Sequence, residues 1–270
     1  MRLTYDIAEL MPYINWAYFY FAWGIHNKDV QEKLKLRTEA ETLLQRLNGR
    51  YSVYALFELF DACSEGDDVY LYHSGQHCCS IPFLRQQQPD SDFLCLADFI
   101  RPQSFGTPDK IGIFATSVSH GLETDFSSDG YQKMMAQLLA DRLAEAAAER
   151  MHEAVRKEYW GYAAGEKLSV EDLHAERFQG IRPAVGYPSL PDTSINFLID
   201  DLLCLKQIGI RLTESGAMSP HASVSGFMLA HPHARYFSVG RIGEDQLADY
   251  ARRRGLPLEV CRRFLSCNLQ

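Results

Sequence analysis

The hydrophobic positions of this chain repeat with two different periods. Across residues 30–47 and 130–159, apolar residues recur every three or four positions, which is the period of an amphipathic helix. We expect Ser127-Ser128-Asp129 to cap the longer helix, and its apolar stripe favours core packing over a cofactor contact: Met135, Leu138, Leu139, Leu143, Ala147, Met151 and Val155. Further helices are predicted after the N-cap Ser169 and at 195–208, 245–254 and 257–265.

Apolar runs separated by turn residues predict strands elsewhere in the chain. They cover residues 52–60, 68–72, 77–84, 93–99 and 111–116, and a hairpin of 224–230 with 236–242. Neighbouring strands joined by short turns are typical of an antiparallel sheet. The sequence therefore predicts an α+β fold, a single domain over residues 1–270 with an antiparallel sheet flanked by helices.

Charge and composition narrow the classes of function. Lysine and arginine total 27 against 35 aspartates and glutamates, a net charge of −8 that argues against nucleic-acid binding. Seven cysteines without a CxxC motif indicate a reducing, cytoplasmic setting. The aromatic segment 14–25 is too short to span a bilayer, so no membrane partner is predicted. Arginines at 252–254 and 262–263 favour a solvated helix face over a docking patch for an acidic electron donor.

One segment, residues 180–192, combines three prolines and two glycines with polar side chains. That composition excludes a helix or a central strand, so we predict a stiff loop that presents Arg182, Tyr187 and Asp192. A second small, polar segment, 212–226, follows about twenty residues later. Two ordinary surface loops joined by a helix are the alternative interpretation, but loops of this kind often carry function.

Several short motifs match one known family in the same order. They are Arg182-Pro183-Ala184-x-Gly186-Tyr187-Pro188, Leu212-Thr213-Glu214-Ser215, Ala217-Met218-x-Pro220-x-Ala222-Ser223-Val224-Ser225-Gly226 and Tyr236-Phe237-x-Val239-Gly240, preceded by Lys157-x-Tyr159-Trp160-Gly161-Tyr162. With these motifs the chain resembles the activation domain of cobalamin-dependent methionine synthase, which binds S-adenosylmethionine (AdoMet). The resemblance covers nearly the whole chain and implies the C-shaped fold of that family.

The resemblance also implies an AdoMet site. Arg182 is expected to bind the ligand carboxylate, because a guanidinium offers paired donors. Glu176 matches a family position at the adenosine end or in loop ordering, and Tyr187 one that lies toward the corrin. The remaining expected ligand-binding residues are Asn15, Ala184, Gly186 and Tyr236; Ala184 and Gly186 are small enough to let the backbone approach the ligand.

The reaction implied by the resemblance is reductive methylation. Cobalamin in the inactive Co(II) form accepts one electron, and the resulting Co(I) takes the methyl group of AdoMet. Because the cofactor supplies the nucleophile, no catalytic side chain is expected. No metal site is expected either, since His231-x-His233 favours a turn. The chain contains only activation-domain motifs, so we expect the cobalamin to come from a separate methionine synthase subunit and the electron from a flavodoxin-like or other donor.

The sequence departs from the family at several positions. Asn15 stands where the family has an aspartate, Ser219 replaces a tryptophan, and residues 193–196 read Thr-Ser-Ile-Asn instead of His-Thr-Glu-Lys. We expect these changes to cluster around the ligand and the corrin-facing loops, and the loss of charge at Asn15 to weaken AdoMet binding. They favour an alternative function, a non-catalytic module that binds a corrinoid protein as a chaperone or regulator and has lost tight AdoMet binding.

Overall fold

A six-stranded antiparallel sheet forms the centre of the computed structural model, which describes residues 1–126 and 128–269. The strands run in the order β4-β3-β2-β5-β8, and β1 pairs with another part of β2. Their bounds are β1 Arg2–Asp6, β2 Ser52–Glu65, β3 Asp68–His73, β4 Gln76–Pro82, β5 Asp109–Val118 and β8 Ser223–Met228; β6 (Arg211–Leu212) and β7 (Met218–Ser219) form a separate pair. The predicted α+β fold with an antiparallel sheet is confirmed.

Helices cover both faces of this sheet. Their bounds are α1 Ile7–Leu10, α2 Trp16–Trp23, α3 Val30–Leu47, α4 Gly121–Thr124, α5 Gly130–Ala154, α6 Val170–His174, α7 Ile195–Leu203, α8 Glu244–Arg254 and α9 Leu258–Phe264. Within residues 1–126 and 128–269, none of them has the length and hydropathy of a bilayer span.

Alternation along β2 divides the core between the two faces. Val53, Ala55 and Phe57 pack with α3 and α5, whereas Leu56 and Phe60 pack with α7 on the opposite face. A third apolar cluster joins α8 and α9 to the segment after β4. The long helix α5 is fixed to the sheet by a buried hydrogen bond, in which the Thr116 hydroxyl on β5 donates to the Ala144 carbonyl at 2.9 Å.

The predicted helix caps are largely confirmed. The Asp129 carboxylate accepts hydrogen bonds from the Tyr131 and Gln132 amides at the start of α5, and Ser169 forms a capping box with Asp172 at the start of α6. Ser127, the first residue of the cap predicted for α5, lies outside the described residues. The helix predicted over 130–159 continues past Ala154 as one π turn, 155–159.

Three element predictions are wrong in part. Residues 93–99 end in a 3₁₀ turn, Leu96–Phe99, in which Asp98 accepts the Cys95 amide at 2.8 Å. The helix predicted over 195–208 breaks at Cys204, whose φ of 57° turns the chain into a 3₁₀ turn, Leu205–Ile208.

The third prediction that fails is the second strand of the hairpin, residues 236–242. This segment forms no ladder with another strand. The Val239 and Ile242 amides donate to the isolated backbone carbonyls of Pro188 and Asn268, and side-chain amides bond three of its carbonyls. Gln86 donates to the Ser238 carbonyl at 2.8 Å, Gln88 donates to the Arg241 carbonyl at 2.5 Å, and Asn268 donates to the Gly240 carbonyl at 2.9 Å. The segment is therefore extended but satisfied by the chain around it.

The predicted loop 180–192 begins as an irregular edge of the sheet. The Ile181 amide donates to the Leu229 carbonyl at 2.9 Å, and the Val185 amide donates to the Ser225 carbonyl at 2.9 Å. Pro183 lacks an amide hydrogen, which is tolerated at an edge, and its carbonyl accepts from the Phe227 amide. This pairing holds Arg182 and Ala184 against β8.

Gly226 is the point where the loop and β8 lie closest, and we expect Gly226→Ala to destabilise the fold. A Cβ at this position would overlap the Pro183 carbonyl oxygen and press on Ala184, whereas Gly130 has no atom near its own Cβ position. Urea denaturation should show a loss of about 2 kcal/mol for Gly226→Ala, the scale of an overpacked core site. The control Gly130→Ala should be as stable as the wild type; equal stability of both variants would contradict the close approach.

Candidate ligand-binding site

A cavity of about 620 Å³ opens between the start of α2, the middle of α5, the end of α6 and the loop 180–192. Its volume is in the range of pockets that enclose small molecules. Its lining combines charged and polar side chains with a smaller set of apolar residues, which includes Ala146, Leu173, Pro183, Pro188, Val224 and Phe237.

Six of the seven predicted site residues line this cavity: Asn15, Glu176, Arg182, Ala184, Tyr187 and Tyr236. Gly186 does not line it. Its φ is 86°, a conformation that favours glycine, and its amide donates to the Leu190 carbonyl at 2.8 Å. The structure therefore gives Gly186 a role in turning the loop, in place of the close ligand approach that we expected.

Arg182 is the cation at the base of the cavity. One terminal nitrogen donates to the Glu149 carboxylate at 3.0 Å, and the other lies 3.0 Å from Nδ1 of His152. Burial, the largest single influence, lowers the pKa of the guanidinium. The charge and hydrogen bond of Glu149, together with Tyr236 and Glu145, outweigh burial and hold the pKa above its usual value. The Arg182 amide also donates to the Tyr236 hydroxyl at 2.9 Å, so both the main chain and the side chain are anchored.

His152 and Arg156 lie behind Arg182, inside the protein. Burial, followed by the charges of Arg182 and Arg156, holds the pKa of His152 well below its usual value, so the ring is neutral. Arg156 forms a buried ion pair with Glu166 at 2.7 Å and stacks 4.2 Å from the centre of the Phe178 ring. The ring of Phe178 meets the ring of His152 edge-on at 5.1 Å.

The cavity rim carries weaker polar contacts. The Tyr187 hydroxyl donates to Glu145 at 3.0 Å, and this carboxylate, with burial, raises the pKa of Tyr187 to about 12. Asn15 is the N-cap of α2, and its side-chain oxygen accepts the Ala17 amide at 3.2 Å. Partial burial raises the pKa of Glu176, although the Arg182 charge lowers it.

Sequence reasoning missed several residues of this site. Tyr13, Tyr18, Arg142, Glu145, Glu149 and His174 also line the cavity. A signal for three of them was present in α5, where polar residues recur at spacings of three and four beside the apolar stripe: Arg142, Glu145, Glu149, His152 and Arg156. The apolar stripe, which alone entered the prediction, is confirmed as core.

The departures from the family do not cluster at the cavity, apart from Asn15. Ser194 and Asn196 are buried. The Ser194 hydroxyl donates to the Asp192 carboxylate at 2.8 Å, and the Asn196 side-chain amide donates to the Gly216 carbonyl at 2.8 Å. Thr193 bonds the Ser215 carbonyl, and Ser219 is exposed on β7. Residues 193–196 and Ser219 therefore do not line this cavity, and their expected place near the corrin-facing loops stays a prediction.

The C-terminal arginines are largely paired within the chain. Arg253 bonds Asp68 and Asp249, Arg254 bonds the Ser194 hydroxyl, and Arg262 bonds Glu244. The solvated helix face that we favoured over a docking patch therefore holds for Arg252, whose side chain is 73% exposed, whereas Arg253 and Arg254 are nearly buried and bonded within the chain.

The two histidines at 231 and 233 lie in a turn, as the sequence predicts. The His233 amide donates to Nδ1 of His231 at 3.2 Å, and the Ala234 amide to the His231 carbonyl at 3.0 Å. Among residues 1–126 and 128–269, no three His, Cys, Asp or Glu side chains are grouped so that they could hold a metal ion.

Comparison with known proteins identifies the family. Residues 6–255 match the sequence profile of the family described as "Vitamin B12 dependent methionine synthase, activation domain". The chain belongs to this family. A crystal structure described as the MetH reactivation domain bound to AdoHcy is also similar to this activation domain, with 38% sequence identity and a TM-score of 0.93. The match covers 100% of this chain and 90% of that one, so the similarity extends over the whole fold.

The buried, neutral His152 predicts how stability depends on pH in this activation domain. In the unfolded chain the imidazole takes up a proton below pH about 6.5, but the folded state excludes it, so stability falls as the pH falls. Integrated from pH 7 to 5, one such histidine accounts for about 2 kcal/mol. When the pH is lowered from 7 to 5, the free energy of unfolding of the wild type, measured by urea denaturation, should fall by that amount relative to the free energy of unfolding of His152→Asn. A constant difference would show that the pKa of His152 is the same in the folded and unfolded states, and would contradict the buried, neutral ring.

Proposed function

We propose that this activation domain binds AdoMet in the cavity and supports the reductive methylation of cob(II)alamin carried by a cobalamin-binding methionine synthase subunit. It would act as the reactivation component of a methyltransferase, with the electron supplied by a flavodoxin-like or other donor. The observation that carries the proposal is that six of the seven expected ligand-binding residues, among them the ion-paired Arg182, line one cavity. The AdoHcy in the related structure supports the choice of ligand class.

The charges of the cavity suit this ligand. Apart from its histidine, the charged lining residues are two arginines, Arg142 and Arg182, and three glutamates, Glu145, Glu149 and Glu176, which give a net charge of −1. AdoMet carries a carboxylate, an ammonium and a sulfonium, and its net charge is therefore positive. A net negative cavity with one buried cation is complementary to a cationic ligand that has a single carboxylate.

Arg182 has the donors that the carboxylate requires. A guanidinium carries five N–H donors, and contacts to Glu149 and His152 use one terminal nitrogen each. We propose that other N–H groups of Arg182 bind the ligand carboxylate. Because its pKa is held above the usual value, the side chain stays charged at every physiological pH.

Asn15 and Tyr236 complete the proposed amino-acid end. The Asn15 oxygen has a second lone pair for the ligand ammonium beside its bond to the Ala17 amide. Tyr236 contributes an aromatic wall, because its hydroxyl is held by the Arg182 amide. We assign Glu176 to the adenosine end and Ala184 to close backbone approach, with the role of Gly186 limited to turning the loop.

The mouth of the cavity is the proposed contact with the cobalamin-binding partner. Tyr18 and Tyr187 border the opening and are 63% and 53% exposed. When both ligands are present, the chemistry they supply is methyl transfer from the AdoMet sulfonium to reduced cobalamin. The protein contributes binding, orientation and exclusion of water around the sulfonium.

Calorimetric titration with AdoMet tests the proposal directly. The wild type should bind saturably, and Arg182→Ala should weaken binding by about 1.5–3 kcal/mol, the scale of a hydrogen bond to a charged group. The matched control is Arg177→Ala, which removes an exposed arginine that pairs with Asp172 outside the cavity. Its affinity should equal that of the wild type.

The same titration separates the alternative function. A wild type that binds no AdoMet, with or without a cobalamin-binding subunit present, would contradict the proposal and favour a module that has kept only its partner-binding role. Saturable binding without any transfer of labelled methyl from AdoMet to reduced cobalamin on the subunit would contradict the proposed reaction while leaving the AdoMet site in place.

Asn15 gives a second test, because it can be converted to the family residue. Asn15→Asp adds a negative charge at the proposed ammonium site, and asparagine and aspartate are equally good N-caps, so α2 should be unaffected. We expect AdoMet affinity to rise by about 1 kcal/mol, since a charged hydrogen bond is roughly twice as strong as a neutral one. Unchanged affinity would place the ammonium away from residue 15.

A further inference from the structure

His152 is fully buried and does not line the cavity, yet it contacts the residue proposed to bind the ligand carboxylate. Its Nδ1 lies 3.0 Å from a terminal nitrogen of Arg182, and its Nε2 lies 3.4 Å from the Tyr162 hydroxyl. The ring therefore lies between the Arg182 guanidinium and the Tyr162 hydroxyl, on the side of the guanidinium that faces the protein interior.

The contact with Arg182 determines the tautomer of His152. A guanidinium has only N–H donors, so Nδ1 of the histidine must accept and carry no proton. The proton of the neutral ring is therefore on Nε2, facing Tyr162. A charged ring in this place would oppose both Arg182 and Arg156.

Two fixed points are needed to orient a planar guanidinium. Glu149 holds one terminal nitrogen at 3.0 Å, and this contact alone would leave the plane free to rotate about the ion pair. The contact of His152 with the other terminal nitrogen, also at 3.0 Å, removes that freedom. Bidentate recognition of a carboxylate depends on the direction of this plane.

We propose that His152 is a positioning residue for AdoMet binding, which acts by fixing the plane of the Arg182 guanidinium toward the ligand carboxylate. This inference rests on the proposed function, because it assigns the carboxylate to Arg182. It gives the polar stripe of α5 two roles, in which Glu149 supplies the counter-charge and His152 supplies the orientation.

A pair of amide substitutions tests the proposal. His152→Asn keeps a carbonyl acceptor near the place of Nδ1, whereas His152→Gln moves the amide toward the place of Nε2 and leaves the Arg182 nitrogen without an acceptor. Both variants are neutral and polar. We expect the dissociation constant for AdoMet, measured by calorimetry, to stay within about threefold of the wild type for Asn and to rise about tenfold or more for Gln, the loss of a hydrogen bond to a charged group.

A second ligand distinguishes orientation from general damage. 5′-Methylthioadenosine lacks the amino-acid group, so its affinity, measured by competition with AdoMet, should be nearly the same in the wild type and in both variants. Equal weakening of the two ligands, or equal AdoMet affinity of the Asn and Gln variants, would overturn the proposal. If the wild type binds 5′-methylthioadenosine but not AdoMet, the result would instead contradict the proposed function, in which Arg182 binds the AdoMet carboxylate.

A measurement on the wild type keeps the proposal testable if either variant fails to fold. In ¹⁵N spectra of protein labelled at histidine, His152 should be the neutral tautomer protonated at Nε2, and its Nδ1 resonance should shift when AdoMet is added. An Nδ1-protonated ring, or an Nδ1 resonance that AdoMet leaves unchanged, would overturn the positioning role.

Discussion

The buried ion pair between Arg182 and Glu149 is the contact on which the cavity depends. Removing two charges from water is costly, and such a pair is tolerated only where further hydrogen bonds satisfy it. Here the Arg182 guanidinium also donates to Nδ1 of His152, and the Arg182 amide donates to the Tyr236 hydroxyl. Oε1 of Glu149, by contrast, is buried and has no hydrogen-bond partner among the described residues. The pairing of the loop with β8 places the arginine so that these partners can reach it, and Gly226 allows that pairing because it has no Cβ.

Most helices and strands could be predicted from the sequence, because the period of the hydrophobic positions shows which face of each element is buried. The apolar stripes of α3 and α5 and the runs that became β2, β3 and β5 were predicted with nearly the observed bounds. Residues 236–242 were mistaken for a strand, because their apolar pattern reflects burial, whereas their backbone bonds side-chain amides and isolated carbonyls from distant parts of the sequence. Periodicity carries no information about such distant partners.

The candidate site was predicted only where a motif marked it. The loop residues were found through their resemblance to a family, but Glu149 and His152 were not, because they lie on a helix whose apolar stripe already explained its burial. A second, polar stripe in a buried helix is the sign that such a helix also faces a charged partner. Residues 193–196 are the opposite case. Their departures from the family were expected near the ligand or the corrin-facing loops, but Ser194 and Asn196 form internal hydrogen bonds with Asp192, Gly216 and Ser225. Substitutions there are accommodated by the core.

Asn15 serves two purposes with one side chain, since it begins α2 and also borders the cavity. Few residue types can begin a helix well, because Asn, Asp and Ser are the best N-caps, Thr and Gly follow, and large apolar residues are poor. Few residue types are therefore compatible with both roles at position 15. A lineage can adjust the charge and reach of the cavity here only among small polar side chains, so changes in ligand preference that need a bulky residue must arise elsewhere on the rim.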